Sequence, residues 1–128
     1  MRLLLDTHAF LWYILDDPQL SATADALISD PTNEIEVSPA SYWEIAIKIR
    51  LKKYSLPEPY EVFFDREIAS NDFRILHIQV KHTAPLTTMP FHHRDPFDRL
   101  IVAQALVEQI AIVSNDTFFD AYGVKRFW

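Results

Sequence analysis

Four carboxylates occupy positions in this chain where chemistry could be done: Asp6, Glu44, Asp98 and Asp116. Asp6 directly follows the apolar run Arg2-Leu3-Leu4-Leu5, and Asp116 follows Ala111-Ile112-Val113-Ser114-Asn115. Both places read as junctions where a buried strand ends, which is where open parallel sheets bind ligands. Asp98 falls in the first turn of a helix opened by Asp95-Pro96, and Glu44 lies inside a helix that follows a second strand. Carboxylates brought to one point repel each other and raise one another's pKa unless a cation lies between them. An all-oxygen site selects a hard ion, Mg2+ or Mn2+. Such an ion activates a water and clamps a phosphodiester, so the chemistry expected is metal-assisted phosphodiester hydrolysis.

Each acid also has a purely structural reading. Asp6 and Asp116 fit helix N-caps, whose carboxylates accept from free N–H groups. Asp95-Pro96-Phe97-Asp98 is a good helix start, with Asp95 as cap and Asp98 facing the positive helix end. For Asp95 capping is the preferred reading, with a supporting or metal-side role as its alternative. Ser41-x-x-Glu44 fits a capping box. If Ser38-Pro39 starts that helix instead, Glu44 caps nothing, and Lys48 one turn on could pair with it on a solvated stripe. His92 and His93 read as a solvated loop pair or as groups near a substrate. The cluster Lys48, Arg50, Lys52 and Lys53 reads as a solvated helix end that, near the site, could hold RNA phosphates; Lys48, Arg50, His93 and Arg94 are the candidate RNA contacts. Phe10, Trp12, Trp43 and Phe97, at helical spacing, read as core rather than as platforms for bases.

Composition narrows the choice. A chain of 128 residues is the size of one domain, here taken as 1–128, and can bury a core unaided. There is no cysteine, which excludes disulfides and thiolate metal sites. The only glycine is Gly123, so no glycine-rich phosphate loop of the nucleotide-binding kinds can form. The net charge of −6 argues against bulk attraction to nucleic acid, yet catalytic carboxylates contribute to it and bound cations offset them. It also favours a basic partner segment. No apolar run is long enough to span a bilayer, and Asp6 interrupts the first one too early for a signal peptide, so the expected location is cytoplasmic with no membrane partner.

The elements that must position the acids follow from periodicity and punctuation. Strands are expected at Arg2 to Leu5, Glu34 to Val37, Phe73 to Ile78, Ala111 to Ser114 and Val124 to Phe127. Helices are expected at Thr7 to Leu15, Ser21 to Ser29, from Ser38-Pro39 through Leu51, Tyr60 to Ser70, and from Asp95 to about Gln109. Lys81 to Met89 reads as short helix or loop, and Thr117 to Tyr122 as a short helix. Strands alternating with helices predict an α/β fold with a parallel sheet covered on both faces.

These motifs together resemble a known family. Leu3-Leu4-Leu5-Asp6-Thr7-His8, then Ser41-x-x-Glu44-Ile45, then His93-Arg94-Asp95-Pro96-Phe97-Asp98-Arg99-Leu100-Ile101-Val102-Ala103-Gln104-Ala105, then Ile112-Val113-Ser114-Asn115-Asp116 resemble the PIN-domain family. The likeness is strongest to the VapC toxins of bacterial toxin–antitoxin pairs. It spans the chain in order, and the stretch from Asp95 to Ala105 is its most specific part. The resemblance implies a three-layer α/β/α sandwich around a mainly parallel sheet of four to five strands. It implies a Mg2+- or Mn2+-dependent endoribonuclease, neutralised by an antitoxin and commonly a homodimer. The family's acids match Asp6, Glu44, Asp98 and Asp116, and its neighbouring polar residues match Thr7 and Ser114, which orient ligands or the attacking water.

Three functions follow for testing. In the first, the acids hold one or two ions, an activated water attacks phosphorus in line, and the products carry a 3′-hydroxyl and a 5′-phosphate. In the second, Asp6 is the nucleophile of a phosphatase, but that chemistry usually has a further acid two residues on, where this chain has His8. In the third, the acidic pocket is non-catalytic and only receives a basic partner segment.

Overall fold

The computed structural model describes residues 1–128. Five strands form its sheet: β1 (Arg2–Leu5), β2 (Glu34–Val37), β3 (Arg74–Ile75), β4 (Ala111–Val113) and β5 (Arg126–Phe127). Their order is β3-β2-β1-β4-β5, and every neighbouring pair is parallel. Leu5 lies opposite Val37 on one side and Val113 on the other, so three strands end at nearly one level. The helices are α1 (Thr7–Ile14), α2 (Ala22–Ser29), α3 (Pro39–Arg50), α4 (Tyr60–Ser70), α5 (Val80–Thr83) and α6 (Pro96–Glu108). Two 3-10 turns, Ala84–Thr87 and Thr117–Tyr122, complete the chain.

The alternation of a strand splits the leucines of β1 between two cores. Leu3 and Leu5 join Phe10, Ile28, Val37, Ile45, Phe64 and Val113 on one face. Leu4 joins Ile101, Val102, Ala105, Ile112 and Phe119 on the other. Helices therefore cover both faces, giving the three-layer α/β/α sandwich that the apolar strands predict. No helix is long and apolar enough to cross a membrane.

Helix starts are set by side-chain caps. Asp6, Ser21, Ser38 and Asp95 each accept from backbone N–H groups at the starts of α1, α2, α3 and α6. Ser38 bonds the N–H of Ala40 at 3.1 Å with Pro39 at the first helical position. This rules out the capping box at Ser41 and places Glu44 in the second turn of α3.

Two strands are shorter than expected. The run Phe73 to Ile78 contributes only β3, because the buried Gln104 amide of α6 takes the Leu76 carbonyl at 2.9 Å and draws the chain out of the sheet. At the other edge only Arg126–Phe127 pairs, since Val124 turns into the second core. At the end of the sheet opposite the acids, Glu108 binds Arg2, Lys81 and the fully buried His82 at 3.1 to 3.3 Å.

Candidate active site

The parallel register of β1 and β4 brings their next residues side by side. The Asp6 N–H donates to the Val113 carbonyl at 3.1 Å, and the Ser114 hydroxyl donates to Asp6 Oδ2 at 2.5 Å. The other oxygen, Oδ1, accepts from the Ala9 N–H at 2.7 Å, so Asp6 does cap α1. Capping leaves it buried. Burial pushes its pKa up to about 6, although the bonds from Ser114 and Ala9 favour the charged form. Ser114 Oγ also accepts from the Asp116 N–H at 3.0 Å, which ties Asp116 to Asp6.

Glu44 reaches the same region from α3. It is only 3% exposed, so its pairing with Lys48 at 2.8 Å is not on a solvated stripe. That pair uses Oε2. The other oxygen, Oε1, is buried with no hydrogen-bond partner. An unpaired buried oxygen costs stability, and such a group is an available ligand atom. Thr7 donates to Ser41 Oγ at 3.2 Å, pinning α1 to α3 one turn before Glu44.

Asp98 shows that the acids converge. Burial first, and then the charges of Asp95, Glu44, Asp6 and Asp116 in that order, push its pKa up to about 8. Only a carboxyl close to the other four is influenced this way. Asp95 caps α6 through Oδ1, accepting from Phe97 and Asp98 at 2.8 and 3.2 Å, which is the capping role preferred for it. Asp116 caps the turn Thr117–Tyr122 through Oδ1, leaving Oδ2 to face Asp98 and His93.

His93 is the residue whose place in the site the sequence left open. Its Nε2 lies 2.8 Å from Asp116 Oδ2 and 3.1 Å from Asp98 Oδ2. Ligand-capable atoms of His93, Asp98 and Asp116 all fall within 4.8 Å of one another. The loop carrying His93 is built from α6. Arg99, buried, donates to the Pro90 and Met89 carbonyls at 2.8 and 3.2 Å, and the Tyr122 hydroxyl accepts from the His93 N–H at 2.7 Å. Arg99 is not among the expected functional residues; the only signal in the sequence is an arginine directly after Asp98.

The remaining candidates divide. Lys48 is held against Glu44, while Arg50 and Arg94 are exposed with no ion pair to the acids. His92 packs edge-on against Tyr122. Phe10 is core as expected, and Trp12 and Phe97 are partly buried. Trp43 is not core. It is 64% exposed beside Glu44 and meets Phe97 edge-on at 5.1 Å. Its neighbours in α3, Glu44 and Ile45, take the inward face, so the ring is left outside. Phe118, two residues past Asp116, is 65% exposed. His8 lies within hydrogen-bonding distance of Tyr54 and stacks on Trp12, so no acid stands at the position a phosphatase would use.

Comparison with known proteins bears on the fold and the family. No curated protein matches the chain in sequence. Among solved structures, the complex VapBC2 from Rickettsia felis, bound to a promoter DNA fragment, contains a similar chain at TM-score 0.69 and 16% identity, covering 99% of this chain and 98% of that one. FitAcB from Neisseria gonorrhoeae gives TM-score 0.68 and 22% identity over 98% and 96% of the two chains. VapBC-1 from nontypeable Haemophilus influenzae gives 0.61 and 15% over 99% and 97%. These likenesses establish the fold. The sequence model of the PIN domain matches residues 3–125, nearly the whole length, and the chain therefore belongs to the PIN domain family.

Proposed function

We propose that this protein is a Mg2+- or Mn2+-dependent endoribonuclease and the toxin of a toxin–antitoxin pair, working as a single nuclease domain over residues 1–128. The observation that carries the reading is the meeting of Asp6, Glu44, Asp98 and Asp116 at the carboxyl ends of β1 and β4 and on the helices beside them. The donor set fits a hard divalent ion. Its atoms are carboxylate oxygens, Glu44 Oε1 is buried without a partner, and Asp98 is pushed up to about 8 by burial and by its acidic neighbours. Asp98 and Asp116, with Asp6 and Glu44, would hold the ion, and Asp95 supports them as the cap of α6.

A bound ion supplies Lewis acidity at phosphorus and a water activated for attack. The chain's own residues do the rest. Ser114 orients Asp6 and fixes Asp116 to it, so two of the carboxylates keep one geometry. Thr7 and Ser41 hold α1 against α3 and so set the depth of Glu44. Lys48 takes one Glu44 oxygen and leaves the other buried without a partner, free to meet a cation. Trp43, next to Glu44, and Phe118, two residues past Asp116, stand exposed and offer faces for unpaired bases. Arg50, His93 and Arg94 are candidates for contact with the RNA strand. An acidic surface favours substrate held by stacking and by cations rather than by long-range steering.

The partner reading draws on the relatives. The similar chains come from VapBC and FitAB complexes, including FitAB bound to the IR36 DNA fragment. That likeness supports an antitoxin as the partner here; we further infer that its basic segment meets the acidic cleft, that the active form is a homodimer and that the location is cytoplasmic. The test is incubation of the purified chain with structured RNAs, with Mg2+, with Mn2+ and with chelator. Cleavage only with metal, leaving 3′-hydroxyl and 5′-phosphate ends and lost in Asp98→Asn, supports the function. Undiminished cleavage in chelator, or by Asp98→Asn, refutes it.

A further inference from the structure

Building on the metal-site reading above, we propose that His93 competes with the divalent ion instead of ligating it: the imidazole is the resident occupant of the position between Asp98 and Asp116. A histidine beside two aspartates usually reads as a third ligand. The hydrogen bonds around this ring give the opposite answer.

The Asp95 backbone N–H donates to His93 Nδ1 at 3.2 Å. A backbone N–H can only donate, so Nδ1 carries the lone pair, and the neutral ring must carry its proton on Nε2. Nε2 is the atom that faces Asp116 Oδ2 at 2.8 Å and Asp98 Oδ2 at 3.1 Å. A protonated ring nitrogen donates to carboxylates and cannot bind a cation. Ligating histidines show the reverse pattern, with the far nitrogen donating to a carbonyl or carboxylate. Here the far nitrogen meets a donor.

The surroundings suit a placeholder. The ring packs near Phe118 and Phe119, at centroid distances of 5.9 and 6.0 Å, and the backbone of His93 is held by Tyr122. Arg99 fixes the loop behind it. Yet the side chain is still 18% exposed, so the ring has a path outward about its own torsions while the loop stays in place. With the N–H present, Asp116 has a hydrogen-bond partner and Asp98 has the same N–H within 3.1 Å. With it removed, the same carboxylates face each other, and their demand for a cation grows. His93 thus lowers metal affinity and keeps the acids in register. It also leaves the ligand set all-oxygen, which selects hard ions over those that favour imidazole.

The test is Mn2+ titration calorimetry on the parent, His93→Ala, His93→Gln and Asp98→Asn, with circular dichroism to check folding. His93→Ala is expected to bind Mn2+ about tenfold tighter, because a charge-assisted bond no longer has to break first. His93→Gln, whose amide restores an N–H donor, is expected to return toward the parent affinity. Tenfold weaker binding by His93→Ala would make the histidine a ligand, and unchanged binding would make it a bystander; either overturns the inference. Unchanged binding by Asp98→Asn would instead sink the metal-site reading beneath it. Nitrogen-15 spectra of the parent imidazole give a check without substitution. They should show the Nε2–H tautomer before Mg2+ is added and a shift when it is. An Nδ1–H tautomer, or signals indifferent to Mg2+, contradicts the proposal.

Discussion

Ser114 donates a hydrogen bond to Asp6 across the neighbouring strands β1 and β4, joining residues 108 positions apart in the chain. The same hydroxyl oxygen receives the Asp116 N–H at 3.0 Å. One small side chain thus holds two acids of the site. Ser114→Ala should lower stability by about 1–3 kcal/mol, since buried Asp6 loses a donor. It should lower Mn2+ affinity or RNA cleavage by roughly 10- to 100-fold, as loss of a group supporting metal ligands commonly does. Thermal unfolding and metal titration measure the two effects. A loss of stability with full metal affinity would confine Ser114 to the fold.

The raised acids make stability depend on pH in a defined direction. Asp98 at about 8 and Asp6 at about 6 lie above the ordinary value of 3.8, chiefly through burial. The folded chain therefore holds more protons than the unfolded chain between those limits. Their contribution to stability is fully present below 3.8 and is lost as pH rises through about 6 and then about 8. Metal binding needs the deprotonated acids, so affinity should rise over the same window. Melting curves with Mn2+ and with chelator should separate increasingly from pH 6 to pH 8. A constant gap would mean that these two carboxyls do not meet the ion.

Glu108 predicts the opposite sign at the far end of the sheet. Its bonds to Lys81, His82 and Arg2 hold its pKa down at about 2, against an ordinary 4.5. That contribution is present above 4.5 and fades as pH falls toward 2. Glu108→Gln should melt earlier than the parent at neutral pH and converge with it in acid. RNA cleavage per folded molecule should not change, because the network lies away from the acids.

Exposed Trp43 gives a prediction about substrate. Trp43→Ala should leave the melting temperature nearly unchanged, since the ring is largely outside the core. It should raise KM for unpaired RNA about tenfold with little change in kcat, in line with ~1–3 kcal/mol per stacked base. Steady-state kinetics on a single-stranded oligonucleotide decides it. Unchanged KM would remove Trp43 from the RNA path.

Much of this site is readable from short segments. Leu3-Leu4-Leu5-Asp6 reads as a buried strand ending on an acid, because strand alternation and burial on both faces are local properties. The same holds for Ser38-Pro39 and Asp95-Pro96, whose cap chemistry fixes where α3 and α6 begin and so where Glu44 and Asp98 fall. The extents of β3 and β5 are not local. The first is cut short by Gln104 reaching over from α6, and the second by Val124 joining a distant core. The role of His93 was hidden for a related reason. Its neighbours in sequence describe a polar loop, whereas its position depends on Arg99, Tyr122 and the two carboxylates. Trp43 misleads because helical spacing states which residues share a stripe, not whether another element covers that stripe.

The most direct measurement of the central claim is Mn2+ binding and RNA cleavage followed on the same samples of the parent, Asp6→Asn, Asp98→Asn and Asp116→Asn, each shown to be folded. The account predicts that the parent binds Mn2+ and cleaves RNA only when it is bound, and that each variant loses both together. Folded variants that bind Mn2+ as the parent does, or a parent that cleaves equally well in chelator, would contradict it.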